Sequence, residues 1–490
     1  MNTLRSAVIL LALAFRAWGD DTNTTIKSVT VQECVERALA NNLDIRLQRL
    51  NPSIASWGVV QQQAVFDPTL FGQINYEDNT QPSITNVPSL RSKQLASQAS
   101  VNGKLPPGTQ YGLTYSDTRF SGTLSSNFVY TGTAAFSLTQ PVLKNFGFGV
   151  NSALIRVARK NRDIAAQDFT LQVMNTIRDV STAYYELVFA IENHKAKLED
   201  LTLAKQLLDE TRKRVQVGVS SPLDVTQAEA GAAAREQGLI LAERTIKDNE
   251  NTLKRLISQN VGEFQGQSFV PVDYPVVEMV DTDVAQSTRT ALDLRPDYIA
   301  ARRAVEQQDI LVKFNRNQLW PEIDLQGSYG FNARGDTGFS SFNDNLVGGD
   351  SPIWTVGVTV SFPLGNRQAR ANYHIARLNA ETSLLNLKKL EQQIIVDTDN
   401  AVGHVQTNLK SVEAATVANR LARESLDAEK KKLSAGSSTT FLVLQAQSQL
   451  ATAQSAEIRA RADYSESLVE LWRTEGTTLQ KHNIVLDDKF

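Results

Sequence analysis

The chain carries one plan twice, and each copy joins short alternating strands to very long helices. Gly218, Val225, Gln227 and Ala228 recur as Gly436, Val443, Gln445 and Ala446 at one offset of 218. Asp44 and Pro68 recur as Asp297 and Pro321 at an offset of 253, and Pro141 answers to Pro363. The copies span about 31–255 and 285–472, and the first holds some thirty extra residues between its two prolines. Few architectures accept a duplicated unit that is part sheet and part long helix.

The helical parts read clearly. From Asn151 to Val217 there is neither glycine nor proline. At ~1.5 Å per residue such a run makes a helix of about 100 Å, longer than a globular domain needs. Ile177, Val180, Tyr184, Leu187, Ile191, His194, Leu198, Leu201, Lys205, Leu208, Arg212 and Val215 follow a 3-4 spacing, mostly apolar, which predicts coiled-coil packing. A turn at Gly218–Pro222 and a return helix to about Ser258 complete a hairpin. The second copy repeats this over 366–435, with Leu384, Ile394, Ala401, Val405, Val412, Leu426 and Leu433 in register, a turn at Gly436 and a return to about Arg473. A shorter helix over 31–63, breaking near Asn51-Pro52, precedes the strands of the first copy, and the second copy opens with Ala291–Asp297 and a helix to about Gln318.

The strands raise the question of a membrane. Trp354, Val356, Val358, Val360 and Phe362 alternate with Thr355, Gly357, Thr359 and Ser361. Ile323, Leu325, Tyr329 and Phe331 alternate with Asp324, Gln326 and Ser328, and Phe66, Leu70, Ile74 and Tyr76 with polar residues. Segments of this length suit a barrel wall with lipid outside and water inside, or one half-buried face of a soluble sheet. The start favours export: Arg5 precedes the apolar run 7–15, and Ala17 and Gly19 fit a signal cleaved before Asp20. No later stretch is long and apolar enough for a membrane helix, so an integral membrane part would have to be built of strands. Too few strands exist in one chain to close a barrel, and ~100 Å amphipathic hairpins cannot bury their stripes alone. Both parts therefore predict an oligomer.

The order and duplication of Ala-Leu-x-Asn-Asn at 38–42, Gln-Pro-Val-Leu at 140–143, Leu-Arg-Pro-Asp-Tyr at 294–298, Phe-Pro-Leu at 362–364 and the paired Gly turns resemble the TolC-like outer membrane efflux proteins over roughly 30–475. The resemblance implies an α+β membrane protein: long α-helical coiled-coil hairpins plus transmembrane β-strands. It implies a homotrimer with four strands per chain, a 12-stranded β-barrel on a periplasmic α-helical tunnel in the cell outer membrane. It further implies a passive exit duct for a tripartite efflux pump or type I secretion system, docked to a periplasmic adaptor (membrane fusion protein) and an inner-membrane transporter. The competing reading is a periplasmic coiled-coil scaffold without a pore. The expected organisation is a signal peptide at 1–19, a first repeat at 20–258 (strands about 66–140, long helices about 151–258), a linker at 259–284, a second repeat at 285–474 (strands about 322–362, long helices about 366–474) and a polar tail at 475–490. Residues 92–118, around Pro106-Pro107-Gly108, form an extra hairpin that either extends outside the cell or adds to the wall.

The candidate functional residues lie at the helix turns. Asp224, Gln227, Leu442 and Gln445 are candidates for a periplasmic gate, and Gly218, Val219, Gly436 and Ser437 for the adaptor-docking rim. The aspartates that the resemblance implies at the mouth fall on Leu442 and Gln445, so only Asp224 contributes acid there. Each residue also has a plain structural explanation: glycine C-caps, a first-turn acid, polar helix positions and hairpin packing. The same holds for the basic ends 212–214 and 430–432, and Trp320 and Trp354 suit an interfacial belt as well as plain packing. No catalytic motif, cofactor site or metal cluster is expected: the four histidines are dispersed, Gly147-Phe-Gly149 lacks the third glycine of a dinucleotide loop, and Cys34 is the only cysteine. A net charge of −3 gives no reason to expect nucleic acid. Arg334-Gly335-Asp336 occurs in a loop and is read as chance.

Overall fold

The computed structural model describes residues 25–82, 90–123, 125–274, 277, 279–280, 282–336 and 338–486. The signal segment expected at 1–19 lies outside the described residues. In chain order the elements are β1 (Thr25–Val29), α1 (Val31–Asn41), α2 (Leu43–Gln63), β2 (Thr69–Gln81), β3 (Leu90–Lys104), β4 (Gln110–Gly122), β5 (Ser125–Pro141), α3 (Phe148–Asn151), α4 (Ala153–Gln216), α5 (Pro222–Ile257), β6 (Gln267–Pro271), α6 (Val284–Leu294), α7 (Pro296–Asn317), β7 (Glu322–Gly335), α8 (Phe339–Gly348), β8 (Pro352–Ser361), α9 (Arg367–Ser434), α10 (Thr440–Glu475) and α11 (Thr478–Lys481). Contacts divide the chain into two compact units. One comprises residues up to 42 with 179–278 and 408–466; the other comprises 43–178, 279–407 and 467 onward.

The first unit holds the two hairpin turns. Val180, Tyr184 and Leu187 are buried on α4, as their spacing predicts. Beyond Leu198, which is exposed, the buried stripe runs through Leu201, Ala204, Leu207 and Thr211, one position earlier than the expected Lys205, Leu208 and Arg212. The shift follows the packing partner. Leu207 joins a cluster with Leu426, Leu433, Val443, Ala446 and Leu450 of the second copy, a neighbour that local periodicity cannot see.

The segment between the repeats is more than a linker. Its strand β6 pairs in parallel with β1, from Thr25 with Gln267 to Val29 with Pro271. The buried Tyr184 hydroxyl donates to the Val29 carbonyl at 3.2 Å and accepts from the Asp273 amide at 3.0 Å, so it fastens both strands to α4. Glu250 accepts from the Phe269 amide at 3.1 Å, and the Asn42 amide group donates to the Leu256 carbonyl at 2.9 Å. Asn42, extended at ψ 128°, separates α1 from α2, so the helix breaks there; Pro52 lies buried within α2, not at a break. Burial pushes the Cys34 thiol up to about 12 and keeps it protonated.

The second unit holds one antiparallel sheet in the order β2-β3-β4-β5-β7-β8. Among the described residues this sheet thus has six strands, where the resemblance implies four per chain, and the undecided hairpin at 92–118 forms β3 and β4 within it. The register explains why. Leu70, Val101, Leu113, Phe136, Tyr329 and Trp354 are successive cross-strand partners and share one face. Ile74, Ala99, Tyr115, Leu138, Leu325, Val356 and Val358 lie on that same face, while Gln73, Gln98, Thr114, Ser116, Ser137, Gln326 and Thr355 lie on the other. The insert keeps the phase of the strands that flank it, so pairing within the sheet satisfies its backbone without exchanging faces. The edges are β2 and β8, and every residue of both is exposed.

The loop expected between β7 and β8 contains α8, whose buried Phe342 lies 6.5 Å from the Tyr130 ring. The Leu-Arg-Pro-Asp segment has a packing role: Arg295, buried, pairs with Asp297 at 2.7 Å and Asp397 at 3.5 Å. In the tail, α11 follows Gly476, and Thr478 is fully buried. Two apolar stripes remain open. Leu43, Leu47, Leu50, Ile54 and Trp57 of α2 keep a 3-4 heptad spacing and are all exposed. Ile375, Leu378, Leu385 and Val396 of α9 form a similar exposed stripe. Coiled-coil seams of this type stabilise a helix only when a partner helix covers them. Among the described residues no helix is long and apolar enough to cross a membrane.

Candidate functional site

The two helix turns are built alike from duplicated sequence. Gly218 and Gly436 adopt the left-handed conformation at φ +79° and +76°. The Val219 amide donates to the Arg214 carbonyl at 2.8 Å and the Gly218 amide to Val215 at 3.0 Å. In the second copy the Ser437 amide reaches Lys432 at 2.9 Å and the Gly436 amide Leu433 at 3.1 Å. Each pair is a Schellman closure, which satisfies the last carbonyls of the helix. A Cβ at either glycine would meet nothing within 4 Å, so backbone angle, not space, demands glycine.

The starts of the return helices differ, and the difference falls on a gate candidate. Ser221 caps α5: its hydroxyl accepts from the Leu223 amide at 3.2 Å. Asp224 returns the bond, accepting from the Ser221 amide at 2.9 Å, which completes a capping box. Pro222 occupies the first turn, where its missing N–H costs nothing. In the second copy Thr439 accepts from the Leu442 amide at 3.4 Å. Leu442 replaces the reciprocating acid, so that turn has one capping bond of this kind instead of two. Asp224 is half-buried, Leu442 is 42% exposed, Gln227 is half-buried and Gln445 is exposed.

Three features of the turns escaped the sequence reading. Leu223 and Phe441, also 218 apart, are 63% and 59% exposed beside the capping residues, and Val217 is exposed on the first turn. The offset that paired the glycines could have found the Leu223–Phe441 pair. Arg214 donates to the Leu433 carbonyl at 3.0 Å, and the buried Gln447 donates to the Leu203 carbonyl at 3.2 Å. These bonds tie the two hairpins together, a relation with no local signal. Glu429 accepts from Ser438 and pairs with Lys432 at 3.2 Å; those two bonds hold its carboxyl below the usual range. The basic residues of the last turns thus split between cross-hairpin bonding (Arg214), local pairing (Lys432) and an ion pair from Arg212 to Glu229 at 2.8 Å.

The arrangement offers a rim of exposed apolar side chains, charged groups and tightly closed backbone. Among the described residues no cluster of metal-ligating side chains occurs. Such a rim can bind another protein or border an aqueous opening.

The sequence and the fold have counterparts in known proteins. The outer membrane efflux protein BepC of Brucella suis biovar 1 is 24% identical over 353 residues, which cover 70% of this chain and 71% of that protein. The outer membrane protein TolC of Vibrio cholerae is 24% identical over 341 residues, covering 65% and 72%. The crystal structure of the Campylobacter jejuni CmeC outer membrane channel superposes with a TM-score of 0.68 at 18% identity, covering 100% of this chain and 99% of that one. The sequence profile for outer membrane efflux proteins matches twice, at residues 34–259 and 288–477, so each repeat carries the signature separately. With most of its length matched in two copies, the chain belongs to the outer membrane efflux protein family.

Proposed function

We propose that this protein is the passive outer-membrane exit duct of a tripartite efflux pump or type I secretion system. The observation that carries the reading is the six-stranded sheet, apolar on one face, polar on the other and unpaired along both edges. In lipid an open edge leaves backbone groups without partners, so the sheet must close against further copies of itself. The exposed heptad stripes of α2 and α9 make the same demand in the helical part. Family membership supports three copies per channel, a periplasmic helical tunnel, and docking of a periplasmic adaptor and an inner-membrane transporter at the helix turns. In this reading Gly218, Val219, Gly436 and Ser437, with Leu223 and Phe441 beside them, border the docking rim. Asp224, Gln227, Leu442 and Gln445 surround the periplasmic opening. The cargo is chosen by the partner pump, since a water-lined duct has little means of selection.

Detergent-purified protein tests the reading when its mass is measured alongside planar-bilayer conductance. A trimer that gives small, stable single-channel steps is the expected result. A water-soluble monomer or dimer without conductance would instead establish a periplasmic scaffold.

A further inference from the structure

We infer that β3 and β4 are wall strands of the barrel, so that three copies close a barrel of eighteen strands and not twelve. The inference rests on the trimeric channel reading and adds to it the size of the exit. Its main support is where the β3–β4 turn is held. The Gly147 amide, at the junction leading from β5 into α3, donates to the Pro107 carbonyl at 2.9 Å. Gly108, at φ +102°, sits so close to this junction that a Cβ would lie 2.4 Å from the Asn145 carbonyl oxygen. Thr109 bonds to Gln140 near the end of β5. The tip of the inserted hairpin is therefore pinned where the strands give way to helix. A hairpin projecting from the cell would have its tip beyond the opposite end of the sheet.

Three further observations agree. The β2–β3 and β3–β4 pairings run without a register shift from Thr69–Asn102 to Gln81–Leu90 and from Ser92–Gly122 to Lys104–Gln110. At 15 and 13 residues, β3 and β4 exceed the ~9–11 that a tilted strand needs to cross a bilayer. On the apolar face, the charged Asp78, Lys93, Asp117 and Arg119 cluster toward the end of the sheet away from the pinned tip, where an aqueous rim would lie. Six is also an even number, so β8 of one copy meets β2 of the next antiparallel. Barrel diameter grows roughly in proportion to strand number, so eighteen strands give an exit about 1.5 times wider than twelve. Such a lumen is an open aqueous channel, and size selection would fall to the helical mouth.

The test uses the full-length protein in lipid bilayers, with spin labels at Gln98→Cys, Ala99→Cys, Leu113→Cys and Thr114→Cys introduced singly. The native Cys34 is buried and stays unlabelled in the folded protein. Labels at 99 and 113 should collide preferentially with oxygen dissolved in lipid, and labels at 98 and 114 with a water-soluble nickel complex. Cryo-electron microscopy of the same sample should count six strands per copy. Water accessibility at all four positions, or four strands per copy in a trimer, would overturn the inference while leaving the duct reading intact. A mass of two chains would overturn the three-copy assembly and the count of eighteen with it.

Discussion

Asp224 has two possible jobs, and one pair of substitutions separates them. Its carboxylate accepts from the Ser221 amide at 2.9 Å and stands in the first turn of α5. Asp224→Ala removes that bond and the favourable charge at the helix start. Loss of a capping contact costs roughly 0.5–2 kcal/mol and loss of the dipole contribution roughly 0.3–1 kcal/mol. Because Asp224 is only half-buried, we expect a total near the low end, about 1–1.5 kcal/mol. Opening of the first turn of α5 should become roughly 5- to 13-fold more frequent, read as faster hydrogen exchange over 221–228. Asp224→Asn keeps an acceptor and loses the charge, so its exchange should change by less than about twofold. Single-channel recordings give the second readout. If Asp224 borders the opening, Ala and Asn should reduce cation preference equally. Unchanged exchange in Asp224→Ala would refute the capping argument. A loss of selectivity in Ala but not Asn would show that turn structure, not charge, matters to the channel.

Leu442→Asp should do the reverse in the second copy: it supplies the missing reciprocating acid opposite Thr439, worth about 0.5–1 kcal/mol, and makes conductance more cation-selective and more sensitive to divalent ions; unchanged selectivity would place residue 442 off the pore. Val356→Arg puts a charge on the apolar face of β8 and should destabilise the assembled channel by ~2–4 kcal/mol per copy in bilayers, whereas Thr355→Arg on the polar face should assemble normally; equal yields of heat-resistant oligomer would contradict the assignment of faces. Burial pushes Glu466 up to about 7, with repulsion from Glu186 and Asp463 adding to it and Arg459 opposing it. The fold therefore favours protonated Glu466; its contribution is complete below about 4.5 and is lost as pH rises through about 7, a difference on the order of 3 kcal/mol. Glu466→Gln should raise the melting temperature at pH 8 and flatten its decline above pH 5, and parallel melting-temperature profiles for the two proteins would disprove this.

The sequence by itself determined whatever repeats locally. Glycine-free runs and 3-4 spacing marked α4 and α9, since each helical hydrogen bond and each apolar stripe involves residues close in the chain. The left-handed turns at Gly218 and Gly436 were legible for the same reason: few residues besides glycine accept that backbone. Alternation marked β7 and β8 but did not decide whether 92–118 belonged to the wall, because a strand's partner is chosen by register with distant residues. Tertiary structure put that hairpin inside the sheet, between β2 and β5, with its tip bonded to Gly147 and one face shared with Leu70 and Trp354. It alone paired β1 with β6, moved the buried stripe of α4 to Ala204 and Leu207, and gave Asp224 the reciprocal bond of a capping box. In each case the deciding partner lies across a gap that no local period spans, or depends on hydrogen-bond geometry that residue identity leaves open.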